Sequence, residues 1–169
     1  MNTQNYFTEK GFDNILWLYA PASPISYGRE KVLERLPTEA TVDLIGMDQY
    51  TKQGQYVQWM KANCDMIASI AEEYDLIPTI AETGLDDGYQ TINSSMWYYS
   101  EFTKAITHGN CTKMAYALTW INSNPSSYWL PIQGQVGIAG VDRMHANPSV
   151  AFVDAEKWVD ISRDAGYHA

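Results

Sequence analysis

The sequence predicts an α/β domain in which parallel strands alternate with helices. Four short apolar runs carry the strand signal, since they are rich in β-branched and aromatic residues and almost continuous in hydrophobicity. Strands covered on both faces, as in parallel sheets, have this pattern, whereas half-exposed strands alternate between apolar and polar residues. Polar residues at the ends of the runs recur roughly every 30 to 40 residues, a spacing that suits repeated strand–helix units. The predicted strands are 14–21, 42–50, 76–84 and 113–121.

The helices are predicted from the spacing of apolar residues between the strands. The link after the first strand holds a short helix at 28–36, and the segments 56–74 and 95–106 have longer amphipathic patterns. The last part of the chain predicts a short helix at 141–145 and a final helix after residue 154. The apolar face of 56–74 consists of Tyr56, Met60, Cys64, Ile67 and Ile70.

Length and composition favour one domain over residues 1–169, with no metal or disulfide needed to stabilise its core. The formal charge of −9 comes without any Lys/Arg cluster, so nucleic acid is not expected as a partner. No apolar run is long enough to cross a membrane, and residues 1–13 lack the apolar core of a signal peptide.

Cys64 and Cys111 are most simply interpreted as buried thiols, and a single disulfide between them is the alternative.

Polar side chains interrupt the apolar pattern where the last three strands end. Because loops converge at the carboxyl ends of parallel strands, chemistry is concentrated there. Taken alone, Asp48 is best explained as the start of a loop or a helix cap, Tyr50 as a rim aromatic, and Trp120 as a lid on the core. Glu82 is different, because a buried carboxylate with no cap to make costs several kcal/mol unless it is paired. It is the strongest candidate for a catalytic residue.

The loop after the fourth strand, 121–140, is rich in Asn, Ser, Pro and Gly. Long loops at this end of a strand are usually functional or disordered, and Tyr128 and Trp129 favour a functional one. The 22 aromatic residues of the chain suit stacking on sugars as well as a core.

Four motifs, LWLYAP, DLIGMDQY, IAETG and ALTWINSN, occur in this order at the strand ends. In order and spacing the chain resembles the second half of the catalytic barrel of glycoside hydrolase family 26, the β-mannanase family, from about residue 11 to residue 154, including NPSVAFVD. The resemblance implies strands five to eight of a (β/α)8 TIM barrel, and residues 1–169 as a partial catalytic domain of retaining endo-β-1,4-mannanases.

The resemblance also implies roles for individual residues. Glu82 falls on the nucleophile, Tyr50 on the tyrosine that orients it, and Asp48 on a supporting aspartate. Trp120 falls on the tryptophan that stacks on sugar, and Asn122, Tyr128 and Trp129 are expected to bind substrate beside it. No metal or organic cofactor is expected, because a mechanism with two carboxylates requires none.

The general acid/base of the family has no counterpart in this chain. The family carries it on the fourth strand, as a glutamate that directly follows a histidine. In this chain His108, His145 and His168 all come after Asp48, and none is followed directly by Glu. Activity of the isolated chain is therefore not expected. Four strands leave two unpaired edges, which predicts association with the missing N-terminal half barrel or self-association.

Two alternatives to the hydrolase remain open. A non-catalytic carbohydrate-binding remnant of the same fold would keep the aromatic residues and lack turnover, and an unrelated α/β domain would place Glu82 and Trp120 in different cavities. The substrate is expected to be a mannan-type polysaccharide, although related enzymes cleave glucans or xylans. The family implies a secreted or cell-surface location.

Overall fold

The computed structural model describes residues 3–37, 42–92, 94–124, 126–153 and 156–164. Its strands form two three-stranded ladders, β1–β2–β4 and β3–β5–β6, in which every pair is parallel. Only two residues separate β2 from β3, and only one separates β4 from β5, so each of these pairs corresponds to one predicted run. The four predicted runs therefore lie side by side in chain order. The predicted α/β class with parallel strands is confirmed. The strands are β1 Leu18–Tyr19, β2 Leu44–Ile45, β3 Asp48–Thr51, β4 Ile77–Pro78, β5 Ile80–Leu85 and β6 Ala117–Thr119.

Helices connect the strands on one side of the sheet. The predicted helix 56–74 is confirmed at both ends, whereas the segment predicted as 95–106 is a π-helical stretch, Tyr98–Thr103, that runs into a single α-turn. The sequence reading missed the first helix, whose described residues are all at least partly exposed, so it has no buried apolar face to detect. None of the helices in these ranges combines the length and the apolar character that a bilayer crossing requires. The helices are α1 Thr3–Glu9, α2 Arg29–Glu34, α3 Tyr56–Tyr74, α4 Lys104–Ile106, α5 Ile138–His145 and α6 Glu156–Asp164.

The core lies between α3 and the sheet. The five residues predicted for the apolar face of α3 are all completely buried, and they pack against Ile45, Met47 and Ile80 of the strands. Burial of a large aliphatic side chain contributes about 1.5–3 kcal/mol, so this face supplies much of the driving force for docking α3. Edge-to-face and stacked rings extend the core beyond α3. These rings belong to Tyr56, Tyr89, Trp97, Tyr98 and Phe102.

Cys64 and Cys111 form a disulfide, with their Cα atoms 5.0 Å apart. The prediction that both cysteines are buried thiols is therefore wrong, and the alternative of a disulfide between them is confirmed. Sequence spacing could not decide this, because the pairing depends on docking the 3₁₀ turn Gly109–Lys113 against α3. The bond ties the principal helix to the segment that leads into β6.

The two outer strands carry exposed apolar side chains. Within the described ranges β1 pairs only with β2, and β6 pairs only with β5. Leu18 on β1 is 39% exposed and Leu118 on β6 is 55% exposed, whereas Ile45 on the inner strand β2 is fully buried. Outer strands of this kind present unpaired backbone groups beside apolar surface.

Candidate active site

A β-bulge determines where Glu82 points. The pairing advances by one residue between Ile45↔Pro78 and Asp48↔Glu82, so one extra residue is accommodated in the β4–β5 line. The backbone N–H groups of Ala81 and Glu82 both donate to the carbonyl oxygen of Met47, at 3.0 and 3.2 Å. A bulge shifts the alternation of side chains by one position. Ala81 faces away from α3, toward Gly46. Because of the bulge, the next residue, Glu82, lies on the same face as Ala81.

Tyr50 reaches Glu82 across the two strands. Its hydroxyl donates to Oε2 of Glu82 at 3.1 Å. Burial, followed by the charge of Glu82 and the hydrogen bond to it, raises the pKa of Tyr50 far above its ordinary value. The phenol therefore stays protonated at any ordinary pH and remains a donor to the carboxylate. The orienting role expected of Tyr50 requires a contact of this kind.

Asp48 is the direct register partner of Glu82 on the neighbouring strand. Burial and, secondarily, the charge of Glu82 raise the pKa of Asp48 to about 6. Two carboxyl groups held on adjacent strands resist simultaneous ionisation, because like charges at short range oppose each other. The site thus brings two acidic side chains together where β3 pairs with β5.

Trp129 lies against the strand end because Gly84 has no side chain. A Cβ atom at Gly84 would lie 2.7 Å from Cδ1 of the indole and 3.4 Å from Cε1 of Tyr50. The indole Nε1 donates to the carbonyl oxygen of Leu85 at 2.9 Å, which fixes the ring relative to β5. The glycine of the IAETG motif is therefore required by the close approach of an aromatic ring.

Asn122 holds the loop that carries Trp129. Its Oδ1 accepts from the backbone N–H groups of Trp129 and Leu130, at 2.9 and 3.1 Å, and its Nδ2 donates to the carbonyl oxygen of Leu130 at 2.7 Å. The amide was expected to bind substrate, but these contacts use its oxygen and one of its hydrogens within the loop. Asn122 positions the aromatic ring.

Tyr128 does not join the other predicted residues. It is 6% exposed, and its ring lies 6.1 Å from that of Tyr89 in the core. Its backbone is held by Gln90, whose Oε1 accepts from the N–H of Tyr128 at 2.9 Å. Trp129, the next residue, lines the cleft, so the two neighbouring aromatic side chains point in different directions.

An open cleft of about 230 Å³ brings together Tyr50, Glu82, Trp120 and Trp129. The indole of Trp120 is 42% exposed, so it is not the core lid considered from sequence. The cleft also includes Asp86, which the sequence reading missed. Asp86 lies four positions after Glu82, and strand alternation was the signal that could have found it.

A buried polar network supports the strand ends from the opposite face. Oγ1 of Thr83 donates to the carbonyl oxygen of Gln49 at 2.8 Å and lies 2.7 Å from the hydroxyl of Tyr56. Asn63 on α3 donates to Oε1 of Gln49 at 2.7 Å and accepts from the N–H of Ile25 at 3.0 Å. Satisfied polar groups of this kind rigidify a core. The network holds β3 and β5 in fixed register behind the cleft.

The arrangement offers two carboxylates, a phenol and two indoles to a ligand. Indole faces cover apolar ring surfaces, and carboxylates accept hydrogen bonds from hydroxyl groups. Across the described ranges, His, Cys, Asp and Glu side chains form no group of three or more that could hold a metal ion. The cleft is suited to a neutral, polyhydroxylated ring, with Glu82 able to act as a nucleophile or base.

Comparison with solved structures finds the same fold in glycoside hydrolase family 26. A β-mannanase of this family from Bacteroides ovatus has a TM-score of 0.79 and 25% identity over 91% of this chain. A modular endo-β-1,4-mannanase from Cellulomonas fimi has a TM-score of 0.74 and 23% identity over 88% of the chain. The catalytic domain of an endo-β-1,4-mannanase from a Bacillus species has a TM-score of 0.74 and 23% identity over 90%.

The chain spans less than half of these proteins, covering 43%, 34% and 43% of their respective lengths. No protein-family model matches it. The predicted resemblance to glycoside hydrolase family 26 is confirmed by the structural similarity, which extends over about nine-tenths of this chain.

Proposed function

We propose that this chain is the nucleophile-bearing half of a retaining, endo-β-1,4-mannanase-like glycoside hydrolase that hydrolyses O-glycosidic bonds of mannan-type polysaccharides. The observation that carries the proposal is the hydrogen bond from Tyr50 to Glu82 inside a cleft lined by two indoles. The similarity to family 26 mannanases supports the same assignment.

In this proposal Glu82 attacks the anomeric carbon and forms a covalent glycosyl intermediate. Tyr50 orients the attacking carboxylate through its hydroxyl, and Asp48 supports it from the adjacent strand. Trp120 and Trp129 bind sugar rings by stacking, an interaction that covers the apolar face of a pyranose. Asn122 and Tyr128 act indirectly, by holding the loop that presents Trp129.

A retaining glycosidase needs a second carboxyl group about 5–5.5 Å from the nucleophile, to protonate the leaving oxygen and then activate water. The family resemblance assigns this group to the fourth strand of a barrel of which this chain contributes strands five to eight. The isolated chain is therefore expected to lack hydrolytic activity. The complete site needs the other half of the barrel.

The exposed edges of the sheet favour such a partner. β1 and β6 each pair on one side in the described structure, and Leu18 and Leu118 are exposed beside them. Closing a barrel removes both edges at once. The N-terminal half barrel would also supply the acid/base, whereas self-association of two copies would supply a second Glu82 and no acid.

A secreted or cell-surface location is part of the proposal. Polysaccharides are too large to enter cells, and the disulfide between Cys64 and Cys111 suits an oxidising compartment.

The test is release of reducing ends from β-mannan by the chain alone and after refolding with the N-terminal half barrel of a family 26 mannanase. We expect no release by the chain alone, release by the mixture, and its loss when the chain carries Glu82→Gln. Asp87→Asn, a carboxylate change outside the cleft, is the matched control. Undiminished release with Glu82→Gln would refute the proposed nucleophile.

A non-catalytic carbohydrate-binding protein is the second candidate, favoured by two indoles that line a cleft for which this chain supplies no acid/base. It predicts retention on immobilised mannan without hydrolysis in either preparation. Trp120→Ala should then abolish retention, whereas Glu82→Gln should leave it nearly unchanged.

A further inference from the structure

Asp86 is placed over the cleft by the strand that carries Glu82. Its backbone N–H donates to the carbonyl oxygen of Thr51 at 3.1 Å, so the pairing of β3 with β5 continues past Leu85. Side chains two positions apart share a face, which aligns Glu82, Gly84 and Asp86. At about 3.3 Å per residue, the Cα of Asp86 lies roughly 13 Å along the strand from that of Glu82.

The carboxylate of Asp86 is exposed and available to a ligand. It lines the cleft with Trp120 and Trp129. Other acidic side chains have protein partners: Asp43 accepts from the backbone N–H of Trp17 at 2.7 Å, and Asp65 accepts from Asn110 at 2.8 Å. Among the described residues, no hydrogen bond or ion pair reaches the carboxylate of Asp86.

A carboxylate beside an indole matches the two kinds of surface on a pyranose. The carboxylate can accept from two neighbouring hydroxyl groups at once, and charged acceptors form stronger hydrogen bonds than neutral ones. The indole covers the apolar ring face. Since Glu82 and Asp48 add negative charge to the same region, an acidic sugar would be repelled.

We propose that Asp86 binds substrate, accepting hydrogen bonds from ring hydroxyls of a neutral pyranose unit that stacks on Trp129, one or more units away from the sugar attacked at Glu82. This inference rests on the proposed function and deepens it, because it assigns a specificity-determining residue and restricts the substrate to uncharged polysaccharides.

The experiment is calorimetric titration of the 169-residue chain with mannohexaose, comparing the unaltered protein with Asp86→Ala and Asp87→Ala. The neighbouring Asp87 is exposed and does not line the cleft, so the control removes the same charge from the same turn. We expect about tenfold weaker binding for Asp86→Ala, as for loss of a charge-assisted hydrogen bond, and less than twofold for Asp87→Ala. Thermal unfolding of both variants checks that the fold is kept.

The outcomes separate the two levels of the proposal. Binding by the unaltered chain with equal affinities for the two variants would overturn the role of Asp86 and leave the proposed function standing. Absence of binding by the unaltered chain would overturn the role of Asp86, whereas the proposed function is decided separately, by release of reducing ends from the mixture with the N-terminal half barrel. Titration with hexagalacturonate tests the charge argument, and affinity equal to that for mannohexaose would refute the restriction to neutral sugars.

Discussion

The two faces of β3 and β5 are built from alternating residues of the same strands, and both are polar. On the face toward α3, Gln49 and Thr83 are 2% and 0% exposed, and their polar groups are satisfied inside the protein. On the opposite face, Tyr50 and Glu82 bond to each other and border an open cleft. Polarity at a strand end therefore does not identify function by itself. The distinguishing property is whether the groups have room to meet a ligand.

The largest expected effect lies on the helix side, where the Cys64–Cys111 disulfide closes a 47-residue separation. Replacing both cysteines by alanine should lower the free energy of unfolding by about 4 kcal/mol, because the unfolded chain regains the entropy of that loop. Urea denaturation measures the loss, and dithiothreitol should reproduce it in the unaltered chain. Equal unfolding midpoints with and without reductant would contradict the prediction.

Thr83→Val tests the buried network directly. The change keeps the shape of the side chain but leaves the hydroxyl of Tyr56 without this partner, so we expect a loss of about 1–3 kcal/mol in unfolding free energy. Glu82→Gln, one residue away on the cleft face, should change stability by no more than about 0.5 kcal/mol. If both variants lose the same stability, the contrast between the faces does not hold.

Gly84→Ala should damage the cleft with a smaller effect on the fold. The new methyl group would lie 2.7 Å from the indole of Trp129, forcing that ring off the carbonyl oxygen of Leu85. Loss of ring stacking should weaken mannohexaose binding by about 0.5–1.5 kcal/mol, detectable by titration. Trp129→Ala is the reference variant, and unchanged affinity in Gly84→Ala alone would show that the ring tolerates displacement.

A pH dependence of stability is expected from Asp48. Its pKa is raised from 3.8 to about 6 in the folded state, so the folded protein holds this proton more tightly than the unfolded chain. Its contribution to stability is thus fully present below about pH 4 and is lost as the pH rises through about 6. Asp48→Asn should flatten this part of the curve of unfolding free energy against pH. An identical slope in the variant would assign the dependence to other groups.

Much of the architecture was accessible from local patterns. The residues predicted for the apolar face of α3 are all buried, and the four strand lines lie where the apolar runs were found. Local patterns failed for Tyr128, which occurs in a polar, aromatic loop typical of a binding surface but packs in the core. They gave no sign that Asn122 clamps this loop. Composition gave no means of distinguishing these uses from contact with a sugar.

By itself, the sequence determined the parallel α/β arrangement and singled out Glu82, because hydrophobic periodicity and an isolated carboxylate are local properties of the chain. Only the tertiary structure decided that a bulge turns Glu82 toward Tyr50, that Cys64 bonds to Cys111, and that Asp86 shares the cleft. Each of those outcomes depends on backbone register and on contacts between segments far apart in the chain. Such contacts leave no periodic signal in the residues that make them.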